Sequence, residues 1–196
     1  MNDAYYEAFQ RTVNPEVYHG AQRGELLRQE IVEPEYRFNF TFRVQGDHAV
    51  IFRTENVKEL ATYLLGGKRA AGKDNDCTII DTAVYLIEIK YTKRTRNSQI
   101  SKQVAGGKKW LRHLLSLVVI DDAELRKAAE MPIYNVAVVM RRTGLSRSAD
   151  ARRTHFGIDD SGTHYRIEIP KGTHDVVLTK IMHHLQQNQP NDQLKI

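Results

Sequence analysis

A single cysteine among 196 residues excludes an internal disulfide framework and any zinc or iron–sulfur centre built on clustered cysteines. That scarcity suits a cytoplasmic protein. No run of 18 apolar residues exists to span a bilayer, and the opening MNDAYYEAFQRTV has neither the basic start nor the apolar centre of a signal peptide. No membrane association is expected. The stretch GGKRAAGK does not follow the P-loop order of Gly, four residues, then Gly-Lys-Ser/Thr, so nucleotide hydrolysis is not expected either. Internal repeats and low-complexity segments are absent. The eight histidines, among them His155, His164, His174 and the pair His183-His184, show no metal-ligand spacing, although His155 and His164 could face each other across a terminal hairpin. Cys77 has no catalytic histidine in its sequence context and reads as a structural thiol.

What is present is ordinary globular composition, 41% hydrophobic and 27% charged, in a length that suits one domain with a sizeable core. The net charge of +5 favours a polyanionic partner without demanding one. Its distribution says more. Lys90, Lys93, Arg94, Arg96, Lys102, Lys108, Lys109 and Arg112 fall within 23 consecutive positions, a cluster that would concentrate phosphate-attracting potential on one part of the surface. The competing reading is a solvated basic helix face.

Along the chain, residues 3 to 31 read as two short helices broken near Asn14-Pro15, with Tyr6, Phe9, Val13, Leu26, Leu27 and Ile31 at partial helical spacing. Alternation of Phe38, Phe40 and Phe42, a turn at Gln45-Gly46-Asp47, and a returning run through Ile51 to Arg53 predict a hairpin. Asn56 is placed to cap a helix through Leu60 and Leu64 that Gly66-Gly67 ends. Ser98 is placed to cap a longer helix with apolar positions at Ile100, Val104, Leu111, Leu114, Leu115 and Val118, interrupted by Gly106-Gly107; those glycines suggest close approach to a strand or to a phosphate backbone. A short helix from Asp121-Asp122 to Glu130 and a buried strand from Ile133 to Met140 follow. Residues 141 to 153, with five arginines, read as a flexible loop able to clamp nucleic acid. The end reads as a hairpin (155 to 158 with 165 to 169), a helix from Asp175 to Gln187, and a frayed tail from Asn188. The expected architecture is mixed α/β: one domain over 1–196, with an N-terminal helical and hairpin elaboration to about 70, a core over about 57–140, and a C-terminal hairpin and helix over 154–187.

The most informative stretch is DNDCTIIDTAVYLIEIKYTKR. Two runs rich in β-branched and aromatic residues, Cys77 to Ile80 and Val84 to Tyr91, flank Asp81-Thr82-Ala83 and predict a hairpin. If the turn centres on Thr82, Ile80 pairs with Val84 and the same register carried back sets Asp76 opposite Glu88. Directly opposed residues on one face have Cβ atoms about 4.5–5.5 Å apart, close enough for two carboxylates to share one hard cation. Glu88 and Lys90 also share a face, because strand side chains alternate. Charges at that point of an apolar strand need solvent, a partner or a metal. The bland alternative is an exposed Glu and Lys at a frayed strand end.

An Asp on one strand, Glu-x-Lys on the next and a following helix resemble the PD-(D/E)xK, or restriction-endonuclease-like, nuclease superfamily over residues 74 to 118. Asn75 stands where many members carry Pro. Gln103 is similar to a glutamine that RecB-like members place near the active site, with Trp110 the nearest candidate for the aromatic that usually follows it. The resemblance implies a restriction-endonuclease-like mixed sheet flanked by helices and a Mg²⁺- or Mn²⁺-dependent phosphodiesterase. It assigns the metal to Asp76, Glu88 and the carbonyl of Ile89, and gives Lys90 the task of orienting or activating water or of stabilising transition-state charge. Members often add an upstream acid, for which Glu59 is favoured over Glu25. Lys93, Arg94, Arg96, Lys102, Gln103, Lys108 and Lys109 become candidate nucleic-acid contacts, with DNA favoured over RNA. Two other readings stay open: an RNA endonuclease with a similar site, and a non-catalytic nucleic-acid-binding or assembly subunit. No recognition module is visible beside the core, so a homo-oligomer or a larger complex is expected to direct cutting. Defence, repair and recombination are all compatible.

Overall fold

The computed structural model describes residues 1–33, 36–61, 72–92, 97–120, 122–141, 155–158, 164–170, 173–187 and 192–193. Helix α1 (Asp3–Thr12) starts where the Asn2 side chain accepts a hydrogen bond from the Tyr5 amide at 2.9 Å, satisfying one of the helix's orphan donors. It buries Tyr5, Ala8 and Phe9, spaced i, i+3, i+4, while Tyr6 turns outward and stacks on His48 with ring centroids 4.2 Å apart. The second helix expected before residue 31 is not formed. After a 3-10 turn (Pro15–Val17) come strands β1 (Tyr18–Gln22) and β2 (Leu26–Glu33). Burial of Leu27 and Ile31 against exposure of Leu26 and Val32 is alternation, and β2 pairs along its whole length with β3 (Tyr36–Arg43). That pairing outweighs a weak helical spacing.

The expected hairpin over 36 to 53 is also corrected, because its two strands enter different sheets. β3 sits between β2 and β10 (Asp175–Val177) in a three-stranded sheet, whereas β4 (His48–Phe52) sits between β1 and β5 (Cys77–Ile80) in the large sheet. The connection between them is held by Asp81, whose carboxylate accepts from the amides of Gly46 (2.7 Å) and Gln45 (3.1 Å). A Cβ on Gly46 would fall 2.9 Å from that carboxylate, so the approach requires glycine. Helix α2 (Thr54–Leu60) begins two residues before Asn56 and takes no side-chain cap; the end proposed at Gly66-Gly67 lies outside the described residues.

The large sheet runs β1-β4-β5, then β6 (Val84–Thr92), β7 (Pro132–Arg141), β9 (Tyr165–Ile169) and β8 (His155–Ile158), with β11 (Asp192–Gln193) paired to the start of β7. Strands β4, β5 and β6 form an antiparallel meander; helix α3 (Asn97–Val118) and short α4 (Ala123–Ala128) then return the chain to β7, parallel to β6. β9 continues parallel to β7, and β8 closes the order antiparallel to β9. That last register sets His155 opposite Glu168, so His155 and His164 do not face each other. The C-terminal helix α5 (Leu178–Gln186) starts three residues later than expected, because Asp175–Val177 pair with β3 first. Nor is the tail from Asn188 wholly frayed, since β11 adds two residues to the sheet.

Alternation along β6 divides the core. Tyr85, Ile87 and Ile89 pack towards β2, β3 and α5. Val84 and Leu86 pack towards α1 and α3 with Tyr5, Phe9, Ile100, Leu111 and Leu115. Each such fully buried large side chain contributes about 1.5–3 kcal/mol relative to exposure. The sheet is therefore covered on both faces, and Glu88 and Lys90 lie on the α3 side by continuation of Val84 and Leu86.

Candidate functional site

The register expected from the sequence is the one observed: Ile80 pairs with Val84 and Cys77 with Ile87, so Asp76 stands one position beyond the ladder, opposite Glu88. Asp76 turns back on β6, its Oδ2 accepting from the Ile89 amide at 2.7 Å. In an antiparallel pair a residue's N–H and C=O leave the strand on the same side, so the Ile89 carbonyl also points towards Asp76. Glu88 is fully buried. One of its oxygens, Oε1, accepts from the Lys90 ammonium, and Lys90 is half-buried. Its other oxygen, Oε2, is buried with no hydrogen-bond partner among the described residues.

An orphaned carboxylate oxygen costs on the order of 1–3 kcal/mol, more when charged. Glu88 responds by holding its proton: burial, and then the negative charge of Asp76, push its carboxyl up to about 8, with Lys90 pulling the other way. A buried acid facing a second acid, with one oxygen unused, is the electrostatic situation that a cation offsets. The donor set fits a hard divalent ion, which takes oxygen ligands and, in the case of Mg²⁺, keeps several waters. Among the described residues no group of three His, Cys, Asp or Glu side chains converges, so the protein would supply Asp76, Glu88 and the Ile89 carbonyl.

The segment entering Asp76 is held from two directions. Asn75 is buried; its Nδ2 donates to the Cys77 carbonyl (2.6 Å) and to Thr78 Oγ1 (3.0 Å), and Thr54 Oγ1 of α2 lies 3.4 Å from its Oδ1. From α3, Gly106 and Gly107 approach so closely that a Cβ on Gly106 would land on the Lys73 carbonyl and one on Gly107 on the Asn75 side-chain oxygen. The segment these glycines meet is the non-strand stretch at 73–75 that leads into β5, rather than a strand itself. Gly107 is in fact part of α3's buried stripe, with Ile100, Val104, Leu111, Leu115 and Val118.

Helix α2 turns Thr54, Lys58 and Ala61 inward, at i, i+4 and i+7, and leaves Glu59 exposed. Lys58, 3% exposed, donates to the Gly72 carbonyl at 2.7 Å and pairs with Asp74 Oδ2 at 3.1 Å. Glu25, the other upstream acid considered, accepts from the Gln22 amide at 2.7 Å beside β1. Gln22 pairs with His48, at the opposite end of β4 from the Phe52–Thr78 pairing near Asp76, so Glu25 is remote from the carboxylate pair. Gln103 is half-buried one turn before the glycine pair on α3. Lys102 and Lys109 are exposed, and Lys108 is half-buried with its ammonium pKa lowered by burial and by Arg112. Lys93, Arg94 and Arg96, and the arginine-rich 142–153, lie outside the described residues. Burial pushes the Cys77 thiol pKa far up, consistent with a structural role.

The fold and site together define a mixed α/β protein with a multi-strand mixed sheet flanked by helices and, at the end of its central hairpin, a buried Glu88 opposite a half-buried Asp76. No protein-family model, curated protein or solved structure matches the chain. Sequence reasoning missed Lys58 and Asp74. Asp74, two positions before Asp76 in KDND, was a visible signal; Lys58 was not, because Leu60 and Leu64 were the apolar positions read on that helix.

Proposed function

We propose that the protein is a metal-dependent nuclease of the restriction-endonuclease-like class, hydrolysing phosphodiester bonds in DNA with Mg²⁺ or Mn²⁺. The observation that carries this reading is the buried, half-unsatisfied Glu88 set opposite Asp76 with Lys90 on the same face. The surrounding order supports it: an antiparallel meander, a covering helix, and a strand returning parallel to the one that bears Glu-x-Lys. Exposed Lys102 and Lys109 on the covering helix would add attraction for a phosphate backbone.

In this reading Asp76, Glu88 and the Ile89 carbonyl hold the ion, which would supply Lewis-acid polarisation of the scissile phosphate and acidification of a water. Lys90 then has two tasks. Its ammonium donates to Glu88 Oε1, and during turnover it would orient the attacking water or meet charge developing on the phosphoryl oxygens. Asp76→Ala, Glu88→Ala and Lys90→Ala are each expected to lower Mn²⁺-dependent cleavage of DNA by at least about 100-fold, with folding checked by circular dichroism. Unchanged cleavage in all three variants would refute the proposal. Parallel assays on RNA distinguish an RNA endonuclease, and binding of DNA without cleavage in either metal marks a non-catalytic subunit.

A further inference from the structure

We infer that Lys58 is a positioning residue for Asp76, acting as an internal cation that locks the 72–76 segment into the place the carboxylate pair requires. The inference rests on the nuclease reading for its functional consequence, though not for its geometry. Lys58 is almost wholly buried on α2, yet it neither reaches Glu88 nor faces solvent: it spends its ammonium on the Gly72 carbonyl (2.7 Å) and on Asp74 Oδ2 (3.1 Å). Burying an ammonium in this way is costly unless it is paired and hydrogen-bonded, and both partners belong to the strip of chain that delivers Asp76.

On the opposite side of that strip, Gly106 and Gly107 make a slot in α3 that only hydrogen side chains leave open. The segment is thus pulled by Lys58 towards α2 and seated against α3 through the Lys73 carbonyl and Asn75. Asn75, two Thr hydroxyls and the Cys77 carbonyl complete the attachment. Asp76 precedes the β5 ladder, which begins at Cys77; these contacts deliver it to β6, where its Oδ2 accepts from the Ile89 amide. Losing the clamp would free Asp76 while leaving the β5–β6 ladder intact.

That separation gives a readout independent of catalysis. The Ile89 amide is protected by Asp76, whereas the residue two positions earlier, Ile87, is paired in the ladder with Cys77. Amide hydrogen exchange is measured residue by residue in the full chain for wild type, Lys58→Met and Gly107→Ala, alongside Mn²⁺ affinity by calorimetry. In both variants the Ile89 amide is expected to exchange at least 10-fold faster while Ile87 changes less than 3-fold, and Mn²⁺ binding is expected to weaken at least 10-fold. Equal acceleration at Ile87 and Ile89, or no acceleration at either, overturns the positioning role. If wild type neither binds Mn²⁺ nor cuts DNA, the nuclease reading fails, and the exchange result alone still decides whether Lys58 positions Asp76.

Discussion

Glu88 holds a proton near neutral pH in the metal-free protein because its carboxyl is buried beside Asp76, and this has a measurable sign. Its pKa is pushed up to about 8 in the fold from the ordinary carboxyl value of 4.5. Between those values the folded chain retains a proton that the unfolded chain has released, so stability falls as pH rises from about 5 to 8 and is then independent of this group. Glu88→Gln removes that dependence, and thermal melts at pH 5 and pH 8 are expected to differ less in the variant than in wild type by at least about 5 °C. Equal pH dependence in the two proteins would show that Glu88 is not held neutral. Metal binding has the opposite sign, since ligation needs the carboxylate: Mn²⁺ affinity should climb by up to about 10-fold per pH unit until pH 8 and then level off.

The central hairpin was legible in the sequence because a three-residue connection between two β-branched runs leaves little freedom of register, and the Asp76–Glu88 opposition followed from it. Helix α3 and strand β7 were legible for a similar reason: a long apolar period and a long apolar run do not depend on a distant partner. β2 was not, because Leu26, Leu27 and Ile31 suit a helix until β3 is available to pair with. Neither was the split of Tyr36 to Arg53 between two sheets, which depends on Asp81, more than thirty residues away, gripping the connection. Glu59 was favoured because its helix lies nearest Asp76 in the chain, and only the inward turn of Thr54, Lys58 and Ala61 reveals which side of α2 meets the site. Two predictions belong to α3. Leu115→Ala, at a fully buried position, should cost about 2–5 kcal/mol in chemical denaturation. Lys102→Gln with Lys109→Gln, at exposed positions, should leave stability within about 0.5 kcal/mol and reduce the salt dependence of DNA affinity by up to about two phosphate contacts; an unchanged slope would place DNA elsewhere.

In the molecule as a whole, two packed faces of one sheet bring together residues that are polar for different reasons. The α3 side is apolar at Val84 and Leu86 and becomes polar at Glu88 and Lys90, at the end where β5 stops short and the segment from α2 arrives. That boundary lets a buried acid sit beside solvent-reachable groups, since Asp76 and Lys90 are only half-buried. A substrate would approach from their side, and the covering helix would present its exposed lysines to it. Under the nuclease proposal, assembly with itself or with a partner is expected to direct cutting, and light scattering with and without DNA tests this. Whether the carboxylate pair grips a cation is decided by titrating Mn²⁺ calorimetrically into wild type and Glu88→Gln at pH 8: one ion per chain in the former and at least 10-fold weaker binding in the latter is the expected result, while no heat in wild type, or superimposable isotherms, would contradict it.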